Sequence, residues 1–220
     1  MNKLISVIIP VRNGSKYITE AINGILAQNK NCEIIVVDDA SSDNTADIAA
    51  TLDCKVIKHE TNKGQVVAKN TGLEQATGEY IMFHDHDDIM CAGTLKRLYD
   101  FLEQNPETYM VMAKVKDFIS PDSSESQSLA KTEAYWGLFT GAVLMRKELF
   151  EKVGLFDDSV NAGEIIELQQ KMQQAGLQTV KMDFIACNRR IHDNNYGRTA
   201  QKKEYSDYAA ILRKRLLNKH

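Results

Sequence analysis

The chain has 220 residues, of which 43% are hydrophobic and 26% are charged, so it can bury a sizeable core and is neither disordered nor fibrous. Its formal net charge of -3 gives no sign of a basic protein that binds nucleic acid. The four cysteines form no CxxC pair, which argues against a zinc ribbon and indicates free thiols in a reducing cytoplasm. No apolar run approaches the ~18 residues that a membrane span needs.

The first half of the chain alternates predicted strands with predicted helices. Apolar runs rich in β-branched residues predict strands, and these cover residues 5–11, 33–37, 55–59, 80–83 and 109–118. Apolar residues at helical spacing predict the helices between them, which cover residues 17–26, 46–52, 65–76 and 94–104. This alternation favours an α/β fold, a three-layer α/β/α sandwich around a mostly parallel sheet.

From Ser120 onward the composition changes. The segment SPDSSESQS is polar and rich in turn residues, which predicts a mobile loop. Further strands are predicted over residues 137–145 and 181–188, and further helices over 147–153, 166–172 and 205–217. The stretch RRIHDNNYGR indicates a basic, polar loop. Because no internal repeat and no long linker divides the chain, we expect a single domain over residues 1–220.

Two of the predicted strands end in acidic residues. Asp38 and Asp39 follow one strand, and the segment HDHDD, which contains Asp85 and Asp87, follows another. Ligands bind beyond the carboxyl ends of parallel strands, so both acidic groups should lie on one rim. If the chain stays extended through HDHD, Asp85 and Asp87 point the same way and offer oxygen ligands to Mg²⁺ or Mn²⁺. An acidic turn that only caps the strand is the alternative.

Four segments, in matching order, resemble the family-2 nucleotide-sugar glycosyltransferases, which have the GT-A fold. They are SVIIPVRNGSKYITEAINGILAQ, EIIVVDDASSDNT, NKGQVVAKNTGLEQATGEYIMFHDHDD and TGAVLMRKELFEKVGLFDD. The resemblance covers roughly residues 3–193. It implies a nucleotide-sugar-binding half over residues 1–118 and an acceptor-side half over residues 119–220 that ends in a basic helix.

The resemblance also implies a set of nucleotide-binding positions. They are Pro10, Val11, Asn13, Asp38, Asp39, Gly64, Lys69, Asp85 and Arg190. Asp39 would accept a hydrogen bond from the nucleobase, with Asp38 as its neighbour or as a cap for the following helix. Lys69 would approach a phosphate. The family usually has arginine there, so this sequence keeps the charge and loses the bidentate fork.

For the cation, Mn²⁺ or Mg²⁺, the resemblance implies Asp87 as a ligand and Asp85 as a contact of the ribose or of a metal-bound water. His192 is either a further metal ligand or an ordinary loop residue. Arg190 and His192 resemble a basic patch that closes over the diphosphate. The implied reaction is one inverting displacement that moves a sugar from a nucleotide diphosphate, UDP by analogy, to an acceptor hydroxyl.

The catalytic base is the point where this sequence departs from the family pattern. The family commonly carries a G-E-D motif whose acid is the base, whereas this chain has AGEIIEL with Ile165 in place of the aspartate. Glu164 remains and Glu167 lies one helical turn further along, so these two carboxylates are the candidates. The departure keeps a second function open, a module that binds a nucleotide sugar and transfers nothing.

Two other enzyme classes fit the first strand less well. A sugar-1-phosphate nucleotidyltransferase would need a Gly-rich phosphate loop with arginine after that strand, and this chain has PVRNGS. A dinucleotide-dependent dehydrogenase would need G-x-G-x-x-G at the same place. Neither pattern is present, so the glycosyltransferase remains the better interpretation.

Partners and location follow from the same resemblance. We expect a cytoplasmic enzyme of cell-surface polysaccharide biosynthesis whose acceptor is a carbohydrate, a lipid-linked molecule or a protein. The basic helix over residues 205–217 would rest on an anionic membrane at its cytoplasmic face, or dock on its own core with a solvated basic side. The loop over residues 120–132 would close over bound donor. Trp136 would stack on a sugar or belong to the core.

Overall fold

The computed structural model describes residues 3–124, 130–137, 140–159, 163–193 and 195. The strands in this part of the chain are β1 (Ile5–Val11), β2 (Cys32–Asp38), β3 (Lys55–Lys58), β4 (Tyr80–Phe83), β5 (Ile89–Met90), β6 (Met110–Ile119), β7 (Val143–Arg146) and β8 (Thr179–Ile191). The helices are α1 (Ile18–Leu26), α2 (Thr45–Ala49), α3 (Gln65–Gln75), α4 (Thr94–Gln104), α5 (Glu148–Val153) and α6 (Glu164–Gln174).

All of these strands belong to one sheet, in the order β3-β2-β1-β4-β7-β6-β8-β5. The pairings from β3 to β4 are parallel, as the alternation of strands and helices predicts. Strand β7 is antiparallel to both β4 and β6, and β5 is antiparallel to β8, so the whole sheet is mixed. Because β6 and β8 are parallel to each other, β1, β2, β3, β4, β6 and β8 all run in one direction and end at one rim.

Helices cover both faces of the sheet, which confirms the predicted three-layer sandwich. On one face the buried side chains of α1, α2 and α4 form one core with alternate residues of β1, including Ile5, Val7 and Ile9. On the other face α3, α5 and α6 pack around Ile8 and the neighbouring strands. Successive side chains of β1 therefore belong to two different cores, one on each face of the sheet. This explains why the apolar run of β1 is continuous.

Helix α3 lies unusually close to the sheet. Gly72 faces β1, and a Cβ built on it would be 2.3 Å from Cγ2 of Ile8. A glycine is therefore required at this point for the helix to keep its distance from the strand. The same helix carries Lys69 and Thr71, so the close packing also fixes how these two side chains meet the rim.

Four details of the sequence interpretation need correction. The chain turns at His86 and Asp87 and is not extended through HDHD. Strand β8 continues to Ile191, where the sequence predicts a loop, and the short strand β5 was not predicted. The segment before β7 includes a 3-10 turn at Thr140–Ala142. The predicted helix over residues 205–217 and most of the Ser-rich loop lie outside the described residues.

Among the described residues, no helix has the length and apolar character needed to cross a membrane.

Candidate active site

The carboxylate of Asp39, just past β2, is enclosed by donors. Its Oδ1 atom accepts hydrogen bonds from Nδ1 of His59 and from the backbone N–H of Lys63, each at 2.8 Å. Its Oδ2 atom accepts from the backbone N–H of Gly64, also at 2.8 Å. A carboxylate offers about four lone-pair positions, so within the part of the chain that the structure describes these contacts leave one acceptor position, on Oδ2. Asp39 and Gly64, both predicted nucleotide contacts, are thus brought together.

The loops after β1 and β2 are tied to each other beside Asp39. Asn13 has a left-handed backbone with φ of 54°, and its Oδ1 accepts the N–H of Ser42 at 2.8 Å. Asp38 accepts the N–H of Ser41 at 2.8 Å, so it closes this turn and does not cap α2, which begins at Thr45. Strain of this kind at a strand end is common at ligand sites. The predicted contacts Pro10 and Val11 lie directly before this loop, at the buried end of β1.

The acidic turn after β4 is built around Asp87. Its Oδ2 atom accepts hydrogen bonds from Nε2 of His192 at 2.9 Å and from Nδ2 of Asn195 at 3.1 Å. Burial alone would raise the pKa of Asp87, but the charges of His86 and His192 and the His192 hydrogen bond hold it well below its usual range. The last aspartate of the turn, Asp88, is buried, and burial together with its acidic neighbours raises its pKa well above the usual value.

Arg190 links this turn to helix α1. Its Nε atom donates to the carbonyl oxygen of Asp87 at 2.8 Å, and its Nη2 atom pairs with Glu20 at 2.5 Å. The guanidinium carbon lies over the rings of Tyr17 and Phe118, 4.6 and 4.7 Å from their centroids. Arg190 is therefore buried and engaged with the protein, whereas the resemblance implied that it would cover a diphosphate. Arg190 thus bonds the backbone of the acidic turn, whereas His192 contacts the carboxylate of Asp87.

Lys69 and Glu164 form a buried ion pair that joins the two halves of the chain. Burial lowers the pKa of Lys69, but the negative charges of Glu164 and Asp85 outweigh that effect and raise it. Lys69 is thus a buried cation paired with Glu164, and its predicted approach to a phosphate stays a prediction. Glu164 is the first residue of α6, directly after Gly163, whose φ of 85° lets the helix start here.

The other positions of this helix point elsewhere. Ile165 is 2% exposed and belongs to the core beneath α3, α5 and α6. Glu167 accepts the backbone N–H of Asp157 at 3.0 Å and pairs with Lys171 at 2.8 Å. Of the two candidate bases, Glu164 is therefore the one that pairs with Lys69, whose pKa is also raised by the charge of Asp85.

Three contacts of the site carried no recognised signal in the sequence. His59 falls at the end of a predicted strand, Glu20 lies on the exposed side of a predicted helix, and Asn195 lies in a predicted loop. Their partners Asp39, Arg190 and Asp87 are far away in the sequence, so only the sheet order brings them together.

The donor set fits a hard or borderline cation that also binds substrate. Asp87 supplies carboxylate oxygen and His192 supplies imidazole nitrogen, with Asp85 two residues away along the same turn. Mg²⁺ typically uses one or two carboxylates together with substrate phosphates, and Mn²⁺ also accepts imidazole. Within the described residues no group of three or more His, Cys, Asp or Glu side chains is arranged to hold a metal without such help.

The sequence that builds this sheet matches a known family. The model of "Glycosyl transferase family 2" matches residues 6–158, so the chain belongs to glycosyltransferase family 2. An uncharacterised glycosyltransferase of Rickettsia typhi is 31% identical over 221 residues, which cover 92% of this chain and 69% of that protein. The uncharacterised glycosyltransferase EpsJ of Bacillus subtilis is also 31% identical, and the aligned region covers 74% of this chain and 54% of EpsJ.

Solved structures support the same fold. Staphylococcus aureus TarS 1-349 in complex with UDP-GlcNAc superposes with a TM-score of 0.70 at 25% identity, covering 89% of this chain and 61% of that one. Mannosyltransferase PcManGT from Pyrobaculum calidifontis, in complex with GDP-Man and Mn²⁺, gives 0.71 at 21% identity, covering 95% and 64%. The GT-A fold is confirmed, and this chain spans less than two thirds of either structure.

Proposed function

We propose that this protein transfers a sugar from a UDP-linked donor to an acceptor hydroxyl, in one displacement that inverts the anomeric carbon. The observation that carries the proposal is the convergence on one rim of Asp39, with one open acceptor position, and the Asp87–His192 pair. The first suits an N–H of a nucleobase and the second suits a cation that meets phosphate. Both ligand types occur in the named structures of TarS and PcManGT.

The two halves of the proposed donor site have separate tasks. Asp39, with Asp38, Asn13 and Gly64 holding the loops around it, receives the base. Asp87 and His192 would hold Mn²⁺ or Mg²⁺, and this cation would stabilise the charge on the departing diphosphate. Lys69 pairs with Glu164 and supplies a positive charge that interacts with Asp85.

For the acceptor, we propose Glu164 as the carboxylate that takes the hydroxyl proton. It pairs with the buried Lys69, whereas Glu167 is held by Asp157 and Lys171. A base must lie within hydrogen-bond reach of the proton that it removes. The position of Glu164 at the start of α6 meets that requirement better than that of Glu167 does.

A second candidate function is donor binding without transfer. It is favoured by one observation, namely that Glu164 is ion-paired with Lys69 while the next residue, Ile165, is buried in the core. A carboxylate held by a buried ammonium takes up a proton less readily, which weakens it as a base.

One experiment separates the two candidates. UDP release from a panel of UDP-sugars would be measured with Mn²⁺, with chelator, and with mixed carbohydrate and lipid-linked acceptors, beside GDP-mannose. Turnover of a UDP-sugar that requires the cation supports transfer. Tight UDP binding with no turnover for any acceptor supports the binding module. If neither UDP nor any UDP-sugar binds, the proposed donor class is wrong.

The acceptor, the membrane contact and the cytoplasmic location stay predictions. The basic segment over residues 205–217 that motivates the membrane contact lies outside the described residues. Vesicle co-sedimentation tests it. Binding to anionic vesicles that is no stronger than binding to neutral ones would contradict it.

A further inference from the structure

His59 has both of its ring nitrogens engaged at the edge of the proposed base site. It follows β3 directly, and its side chain is 5% exposed. The Nδ1 atom lies 2.8 Å from Oδ1 of Asp39, and the Nε2 atom lies 3.0 Å from Oγ1 of Thr71 on α3. A carboxylate only accepts hydrogen bonds, so Nδ1 carries the proton. In the neutral ring Nε2 then accepts from the Thr71 hydroxyl.

This contact decides how many acceptor positions Asp39 can offer. His59 and the N–H of Lys63 both donate to Oδ1, which uses its two lone-pair directions. The N–H of Gly64 uses one direction on Oδ2. The Lys63 and Gly64 contacts come from the backbone, so they do not depend on a side chain. His59 is the side chain among the three, and its removal would open a second position.

Nucleobases differ in how many donors they show to a carboxylate. Uracil has a single N–H, at N3, between two carbonyl groups. Guanine has N1–H beside an exocyclic amino group and uses both oxygens of a carboxylate. Cytosine has no hydrogen at N3. A carboxylate with one open position therefore satisfies uracil and leaves a guanine donor unpaired, and an unpaired buried donor weakens binding.

We propose that His59 is the positioning residue that sets nucleotide specificity. By occupying Oδ1 of Asp39, with Thr71 holding its ring, His59 makes the site select uridine over guanosine diphosphates. The inference rests on the proposed function, in which Asp39 receives the base. It goes beyond that proposal because it assigns the choice of base to a residue that need not touch the nucleotide.

The test is the ratio of dissociation constants for GDP and UDP, measured by calorimetry with Mn²⁺ present. The wild-type protein should bind UDP at least about tenfold more tightly than GDP. His59→Leu should reduce that ratio about tenfold, by opening the second position on Asp39. His59→Asn places an amide N–H near the former Nδ1 and should restore most of the ratio. Melting curves would check that each variant is folded.

Each outcome is decisive. Equal wild-type affinities for UDP and GDP overturn the inference even if no variant folds. An unchanged ratio in folded His59→Leu also overturns it, while the proposed function stands if Asp39→Ala weakens UDP binding tenfold or more. If UDP does not bind at all, the proposed function fails as well. A ratio that falls in His59→Leu and returns in His59→Asn supports the inference, since a merely structural role would change stability and not the ratio.

Discussion

The base side and the cation side of the candidate site are built in different ways. On the base side, Asp39 is held by three donors from a single segment, residues 59–64, which follows the neighbouring strand of the sheet. On the cation side, Asp87 meets His192 across 105 positions of sequence, and Lys69 meets Glu164 across 95. The base side is thus built by β1, β2, β3 and the helix α3 that follows them, whereas the cation side needs the far end of β8 and the start of α6.

This difference suggests where change is tolerated. Backbone donors make two of the three Asp39 contacts, so the base side survives many substitutions in its loops. Single side chains make both long-range pairs, so one substitution removes a pair. We therefore expect the largest effects of mutation on the cation side, and the following predictions test that expectation in order of expected size.

The largest effect is expected for Asp87→Ala. The substitution removes the carboxylate that meets His192, so the Mn²⁺-dependent part of UDP binding should disappear. Calorimetry with Mn²⁺ or with chelator measures it. Asp47→Ala is the matched control, because that side chain is 82% exposed on α2 and should change nothing. If chelator and Asp87→Ala both leave UDP affinity as it was, the cation side has been assigned wrongly.

The next effect concerns Glu164. Glu164→Gln keeps the shape and removes the proton acceptor, so turnover should fall about a hundredfold while donor affinity stays within a few fold. Steady-state rates and UDP titrations measure the two quantities separately. Glu167→Gln is the control, and a larger loss of turnover there would move the base by one turn. A loss of donor affinity instead of turnover would mean that Glu164 acts by positioning Lys69.

The same contrast explains how much the sequence could predict. Most strands and helices follow from local patterns, and the family resemblance adds the prediction that Asp39 receives the base. The partners of Asp39 do not, because His59 meets it only through the register of β2 and β3. The extended geometry expected for Asp85 and Asp87 fails because the chain turns there, with the N–H of Asp88 donating to the carbonyl oxygen of Asp85 at 3.3 Å.

The pairing of Lys69 with Glu164 was also beyond prediction. The sequence analysis predicts a phosphate contact for Lys69 and a base for Glu164, whereas burial of both side chains makes them an ion pair. An unpaired buried charge strongly destabilises the fold, so opposite charges that become buried between α3 and α6 form an ion pair. Sequence patterns show charge type and spacing, and they do not show which side chains become buried together.

A smaller effect tests the base side through the packing of α3. Gly72→Ala places a Cβ 2.3 Å from Ile8, whereas Gly24→Ala in α1 meets its nearest atom at 3.9 Å. We expect Gly72→Ala to lower the free energy of unfolding by about 1–3 kcal/mol through overpacking. Gly24→Ala should leave it unchanged or raise it by up to about 1 kcal/mol. Urea unfolding measures both free energies. Equal stabilisation by the two substitutions would contradict the close approach of α3 to β1.

The smallest effect lies at the opposite end of the same strands. Glu33 accepts hydrogen bonds from the hydroxyl of Ser6 at 2.5 Å, from the N–H of Thr77 at 2.6 Å and from the N–H of Gly78 at 3.2 Å. Burial alone would raise the pKa of Glu33, but these donors together lower it. A carboxyl group whose pKa is lower in the folded state stabilises the protein above its unfolded pKa, about 4.3 for glutamate.

That contribution should be lost as the pH falls below about 4.3 and through the lower folded pKa of Glu33. Glu33→Gln cannot titrate, so its free energy of unfolding should fall less steeply than that of the wild type between about pH 5 and pH 3. Exposed Glu74→Gln is the control and should follow the wild type. Urea unfolding at several pH values measures the slopes. Parallel slopes for wild type and Glu33→Gln would show that these donors hold Glu33 without preferring its charged form.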